Sequence, residues 1–311
     1  MKQKMLGRFV AIVLSYTLFV IIWGAYVRAT SSGAGCGSHW PLCNGQVLPT
    51  TLSINTKIEF FHRITSGLSL ILILGVGQWT FRLFPRKSFP RALALTACIS
   101  ILLEAIIGAG LVLFELVYHD QSLKRTLSIA LHFSNTLVLM AALTLLTATL
   151  ARDGKGWNWT PTPSGQKLKN QSLLFSGMFI IVSMAGAITA LGDTLFPAHS
   201  VLQGIHQDLA PTSHFLIKLR VIHPLLAFTF ASLLCPWIVS LKQAYPNTLK
   251  TPGYRVIALT VLNVIIGISN LAALAPIWLQ LIHLTGGMAL WIAFILFIDR
   301  LGALHLVIEK P

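Results

Sequence analysis

The sequence predicts an all-α integral membrane protein of eight transmembrane helices, arranged as two pseudo-twofold-related four-helix bundles. Three observations carry this: an apolar composition, eight apolar runs of bilayer-crossing length, and a residue pattern of the first half that recurs in the second. Hydrophobic residues make up 55% of the 311-residue chain and charged residues 10%. The mean hydropathy is +0.75, far outside the range of water-soluble domains.

A helix needs about 20 apolar residues to cross roughly 30 Å of hydrocarbon. Runs of that length lie near residues 9–27, 62–81, 92–114, 127–150, 171–191, 219–240, 256–275 and 278–298. The first lacks a convincing cleavage site and is followed by further spans, so it reads as a retained helix and not as a signal peptide. No stretch remains for a separate soluble domain.

A net charge of +14 would suggest nucleic acid in a soluble protein, but here its distribution matters more than its sum. Lys2, Lys4 and Arg8 precede the first span. Arg82, Arg86, Lys87 and Arg91 fill the second loop, and Arg152, Lys155, Lys167 and Lys169 the fourth. Lys242, Lys250 and Arg255 fill the sixth, and Arg300 and Lys310 follow the last span. All fall on one face, which the positive-inside rule makes cytoplasmic. The expectation is a multi-pass protein of a cell membrane, a prokaryotic plasma membrane, with both termini cytoplasmic, the lipid bilayer as its solvent and no nucleic-acid partner. Residues 28–58, 115–126, 192–218 and 276–277 then form the outer loops.

The repeat orders the chain. Gly24-Ala25 recurs as Gly186-Ala187, and Ile106-Ile107-Gly108 as Ile265-Ile266-Gly267. His62 matches His223 and His132 matches His283, with offsets of 161 and 151 residues. Four spans per half preserve direction across the membrane, so the repeat is parallel, with its axis near the membrane normal. The halves are residues 1–150 and 170–311, joined by a cytoplasmic linker at 151–169.

Each of the four repeated histidines lies a few residues past the outer start of an even-numbered span, roughly 5–10 Å below the outer boundary at 1.5 Å per residue. One such histidine is by default an interfacial hydrogen-bonding group. Four at one depth, in a duplicated pattern, point to function, because ionisable groups in spans are costly. Two imidazoles facing each other across a bundle hold haem by bis-imidazole ligation, which gives two haem sites. His39, His119, His199, His206, His214 and His305 lack the pattern and read as loop residues, with His206 and His214 the two placed to touch a ligand.

Glu59 stands three residues before His62, on the same side of a continuing helix. It is either a carboxylate favourable at a helix N-terminus or a catalytic group beside the haem. The second half has Arg220 at the matching place, so the two sites are chemically unequal. Arg28, Arg63, Lys124 and Arg125 in the first half, and Lys218 and Arg220 in the second, lie at the outer face against the positive-inside bias. They read either as partners of haem propionates or as snorkelling cations. Cys36 and Cys43 lie in an outer, oxidising loop, where a disulfide is favoured and a redox-active or metal-delivering pair is the alternative. Cys98 and Cys235 read as small core residues. Glu104, near the middle of the third span, has Asn263 as its repeat counterpart and suggests proton movement, a buried hydrogen bond or a protonated packing residue. Gly108, Gly110 and Gly267 suit close helix contact.

The segments WGAYVRATSSGAGCGSHWPLCNG, EFFHR, LHFSN, LRVIHPL and LIHLTGG together resemble the haem A synthases, over nearly the whole chain. That resemblance implies oxidation of the C8 methyl group of haem O to the formyl group of haem A, by two successive hydroxylations through a hydroxymethyl haem and then dehydration. It implies that the N-terminal half holds haem O as substrate on His62 and His132, with Glu59 catalytic, and that the C-terminal half holds haem b as cofactor on His223 and His283. It also implies a haem O synthase (protoheme farnesyltransferase) and a membrane electron donor as partners, and is compatible with a homo-oligomer. The chain departs from relatives that carry a second cysteine pair after the fifth span, reading LGDTLFPAHS there, and Pro224 replaces the equivalent of Arg63. A di-haem cytochrome b-like electron-transfer subunit is the competing reading, disfavoured because all four histidines share one side and only one half has the acidic residue. A transporter is the third, but polar half-helices at the midplane are not evident.

Overall fold

A computed structural model describes residues 2–50, 53–157 and 162–304; His305 and Lys310 lie outside the described residues. The described chain folds into helices α1 (Lys2–Ala29), α2 (Ile54–Leu83), α3 (Phe89–Leu113), α4 (Leu123–Ala151), α5 (Pro163–Leu195), α6 (Val201–Leu209), α7 (Phe215–Leu219), α8 (Ile222–Ala244), α9 (Pro246–Ala272) and α10 (Ile277–Leu304). With α7 and α8 taken as one span, eight are long and apolar enough to cross a membrane. The protein is all-helical and multi-pass.

The helices outrun the apolar stretches because polar caps extend them. Ser53 accepts a hydrogen bond from Thr56 N and starts α2 at Ile54, so Glu59 and His62 fall within one continuous helix. Ser122 caps α4 through Arg125 N, and Thr162, followed by Pro163, caps α5 through Gly165 N. Each such side chain satisfies a backbone donor that the first helical turn leaves without a partner. Residues 163–169, read from sequence as linker, are therefore the first two turns of α5.

Helix α1 packs on α2 and α4, and α3 closes the ring between α2 and α4. Helices α5, α8, α9 and α10 repeat the same cycle of contacts, and the two rings meet through α1 and α4 against α5 and α10. At that junction the core is densest: Leu137, Met140, Leu143 and Leu146 of α4 pack beside Trp291, Phe294 and Phe297 of α10, all at most 1–2% exposed. The Trp291 indole donates to Leu137 O at 2.8 Å. Between helices in lipid, such packing acts through close contact, not water exclusion. At the end of the molecule opposite the histidines, buried Asp299 of α10 pairs with Arg152, just past α4, and accepts from Trp157 Nε1 at 2.9 Å.

Two further features differ from the sequence reading. The loop after α5 contains a helix, α6, which includes His206. The sixth span begins earlier than expected and breaks at Arg220 and Val221, between α7 and α8. Pro224 explains the break, since it has no N–H to donate to the carbonyl of Arg220 four residues back and its ring crowds that turn; Thr189 Oγ1 approaches the freed carbonyl at 3.5 Å.

Candidate functional site

The first outer loop is fastened onto the start of α2. Cys36 and Cys43 form a disulfide with Cα atoms 4.4 Å apart, and both are buried. Gly35 lies so close to the Asn55 and Thr56 backbone that an added Cβ would overlap it, so only glycine allows this approach. Thr56 Oγ1 donates to Gly35 O at 2.8 Å. Glu59, 3% exposed, has both oxygens engaged: Oε2 accepts from Cys36 N at 2.7 Å, and Oε1 accepts from Arg63 Nε at 3.1 Å and Nη2 at 2.5 Å. Arg63 Nη1 donates to His39 O and Leu42 O at 2.5 and 2.6 Å. Glu59 thus joins α2 to the disulfide loop, on the helix that carries His62.

Three of the four repeated histidines lie against a glycine on a neighbouring helix. A Cβ added at Gly24 would stand 2.9 Å from His62 Cε1, one at Gly186 2.9 Å from His223 Cε1, and one at Gly267 3.0 Å from His283 Cε1. Each glycine therefore clears space for an imidazole inside its bundle. His132 breaks the pattern, since nothing lies within 4 Å of a Cβ at Gly108. The rings of His223 and His283 are 6.1 Å apart between centroids and 72° between planes. Two imidazole–metal bonds of about 2 Å, plus roughly 1 Å from each nitrogen to its ring centre, span about 6 Å. The pair is therefore set at the separation that one iron requires.

The remaining ring atoms agree with this. His223 Nδ1 is hydrogen-bonded with Val182 O at 3.0 Å, leaving Nε2 for a ligand. Nδ1 of His62 and of His283 is buried without a hydrogen-bond partner, the carbonyl of Asn263 lying near His283 but outside bonding geometry. His62 and His132 are near enough to interact electrostatically. Among the described residues, none of the four imidazoles has Nε2 hydrogen-bonded to another protein group, which leaves that nitrogen for a metal. The second-half residues fit haem, and His62 and His132 supply the same pair of donors in the first half.

His132 has a partner of a different kind. Its Nδ1 stands 2.8 Å from Glu104 Oε2, close enough for an ion pair although the angle falls outside hydrogen-bond geometry. Glu104 Oε1 accepts from Asn135 Nδ2 at 2.6 Å and Thr136 Oγ1 at 3.1 Å. The buried-hydrogen-bond reading of Glu104 is the one the structure supports.

Most of the outer cations already have acceptors. Arg28 crosses between halves, donating to Ala190 O at 2.6 Å, Thr194 Oγ1 at 2.8 Å and Gln280 Oε1 at 3.0 Å. Arg125 donates to Tyr118 O and Asp120 O at 2.8 and 2.7 Å, and Lys218 to Pro211 O at 2.6 Å. Lys124 is exposed. Arg220 is buried among Asp193, Asp208 and Phe196 O. Burial pushes the Asp208 carboxyl above its ordinary range, with Arg220 pulling it partly back. His214 caps α7 by accepting from Leu216 N at 3.3 Å. Cys98 is buried and Cys235 partly so, both as free thiols.

Residues 7–295 match the family described as cytochrome oxidase assembly protein, COX15-CtaA. The chain belongs to that family. Among curated relatives, a heme A synthase of Exiguobacterium sibiricum is 30% identical over 226 residues, covering 72% of this chain and 71% of that protein. A heme A synthase of Staphylococcus haemolyticus is 27% identical over 275 residues, covering 85% and 84%. A Thermus thermophilus protein named protoheme IX farnesyltransferase is 37% identical over 291 residues, covering 91% of this chain but 46% of its own length. The chain thus spans about half the length of the Thermus relatives it matches.

Within this COX15-CtaA member, several site residues were not singled out from sequence. Asn135 and Thr136 follow His132 by three and four positions, and Gln280 precedes His283 by three; that helical spacing is the signal that could have found them. Val182 contributes only a carbonyl, which no side-chain motif reveals.

Proposed function

We propose that the chain is a haem A synthase, an oxidoreductase that converts the C8 methyl group of haem O to the formyl group of haem A by two successive hydroxylations and a dehydration. The observation that carries this reading is two histidine pairs, each seated in its own four-helix ring, with a buried carboxylate one turn from a histidine in the first ring alone. In this reading His62 and His132 bind haem O as substrate, and His223 and His283 bind haem b as resident cofactor. Bound haem supplies the one-electron chemistry that the side chains lack.

The chain's own residues bind, orient and move a proton. His223, with Nδ1 held by Val182 O, keeps Nε2 for a ligand, and its ring lies 6.1 Å from that of His283. Glu59, with Arg63 and the Cys36 amide fixing its oxygens, accepts a proton or stabilises positive charge developing near His62. Arg28, Arg63, Lys124 and Arg125 in the first half, and Lys218 and Arg220 in the second, serve the propionates where their remaining N–H groups allow. The two contact cycles support a pseudo-twofold between the halves, and the basic loops support cytoplasmic termini in a cell membrane. Haem O has to be made by a farnesyl-transferring enzyme, and the similarity to Thermus proteins bearing that name supports a haem O synthase as partner.

Glu59→Gln tests the mechanism in the full-length chain in lipid. It keeps the size and an acceptor for the Cys36 amide but loses the charge paired with Arg63. Haem O is expected to bind and accumulate while haem A formation falls about 10²-fold; haem A at the parental rate would make Glu59 a loop tie only. Pigment extraction decides the class: haem O or haem A with haem b fits the synthase, whereas haem b alone from both sites would mean an electron-transfer subunit. His62→Ala and His132→Ala are each expected to remove the first-half haem, and His223→Ala and His283→Ala the second-half haem.

A further inference from the structure

Outside the four histidines and Glu59, the described residues contain one cluster in which a carboxylate touches a haem-ligand candidate. Glu104 on α3 reaches His132 on α4, Oε2 to Nδ1 at 2.8 Å. Its other oxygen is held by two α4 donors, Asn135 Nδ2 and Thr136 Oγ1, and the Asn135 amide also donates to Ser100 O at 2.8 Å. Thr136 Oγ1 is in turn within 2.9 Å of His132 O. The carboxylate is therefore fixed in place by the helix that carries the histidine.

The second half has nothing equivalent. The repeat partner of Glu104 is Asn263, whose Oδ1 is buried without a hydrogen-bond partner and faces Gly286, where an added Cβ would stand 2.5 Å from it. His283 Nδ1, like His132 Nδ1, makes no hydrogen bond of good geometry, but only His132 has a carboxylate within ion-pair distance, and His223 Nδ1 has a backbone carbonyl. The two halves thus differ at two carboxylates, and only Glu59 has a role in the reading above. An imidazole that ligates a metal through one nitrogen commonly has its other N–H held by a carboxylate or a carbonyl, which sets the tautomer and the ring direction and makes the ligand more basic.

We infer that Glu104 is a positioning residue of the first-half site: it fixes His132 with Nε2 directed at the haem iron and, by its negative charge, makes that iron harder to reduce than the iron of the second half. This rests on the haem-binding reading of His62 and His132. An anionic partner stabilises ferric over ferrous iron through a more basic ligand, while the neutral carbonyl at His223 and the unpartnered Nδ1 of His283 do not. The protein would then hold two chemically similar haems at unequal potentials by a difference of one side chain per half.

The test uses the full-length protein in lipid nanodiscs, loaded with haem O, and reads spectra and midpoint potentials rather than turnover. Glu104→Gln is expected to weaken haem O binding 10–100-fold and to raise the first-half midpoint, by about 59 mV for each tenfold loss of ferric preference, while the second-half haem keeps its parental spectrum and potential. That unchanged second haem also reports correct folding. Asn135→Ala removes a donor that holds Glu104 but leaves its charge; it is expected to give a smaller shift in the same direction and decides the matter if E104Q does not accumulate. Parental affinity and potential at the first-half haem in these variants would overturn the inference. If instead His62→Ala and His132→Ala leave the first-half haem in place, the haem-binding reading itself fails, which is a separate result.

Discussion

At the scale of single residues, glycine and histidine work as pairs. Gly24, Gly186 and Gly267 each leave room for a ring that a methyl group would push aside, and overpacking of this kind costs typically about 1–3 kcal/mol. Gly186→Ala is therefore expected to weaken haem binding in the second half and spare the first, and Gly24→Ala to do the reverse. Gly108→Ala, with nothing within 4 Å, is expected to leave both unchanged. Separate haem titrations of the purified variants check this, and equal effects from all three would remove the pairing argument. The histidines were legible in the sequence because an ionisable group in an apolar span stands out and theirs recur. The partner of Glu104 was not, since which faces of α3 and α4 meet depends on helix rotation that apolar periodicity leaves open.

At the scale of elements, the first outer loop depends on its disulfide, on Gly35 and on the Glu59–Arg63 pair to stay on α2. Closing a loop between cysteines seven apart in sequence restricts the unfolded chain by about 2–3 kcal/mol. Mass spectrometry of non-reduced protein is expected to find Cys36 linked to Cys43. Replacing both by serine is expected to make residues 35–45 protease-sensitive and lower haem A formation with the second-half haem retained; two free thiols in freshly isolated membranes would contradict the linkage. The eight spans were legible because bilayer thickness dictates the length of an apolar run. Helix α6 was not, being nine residues long and set in a polar loop. Nor were the helix ends, because serine and threonine caps carry α2, α4 and α5 beyond their apolar stretches. The break before α8 had a visible cause in Pro224, but its effect falls four residues upstream at Arg220.

At the scale of the whole molecule, two polar ties join the halves at opposite ends of the bundle: Arg28 with Ala190, Thr194 and Gln280, and Asp299 with Arg152 and Trp157. Removing one member of a buried ion pair leaves the other uncompensated, at a cost of about 3–5 kcal/mol. Arg152 keeps some solvent contact, so Asp299→Ala is expected to lower the thermal midpoint by the equivalent of about 3 kcal/mol, measured on full-length protein in detergent, with Asp299→Asn losing less. An unchanged midpoint would mean that the α4–α10 core alone holds the halves. The Arg28 tie has a consequence for dividing the chain. A first half produced without the second would leave the Arg28 guanidinium without Ala190, Thr194 and Gln280 and bare the Leu137 face of α4, so the two halves are expected to reassemble when made together and to aggregate when made apart.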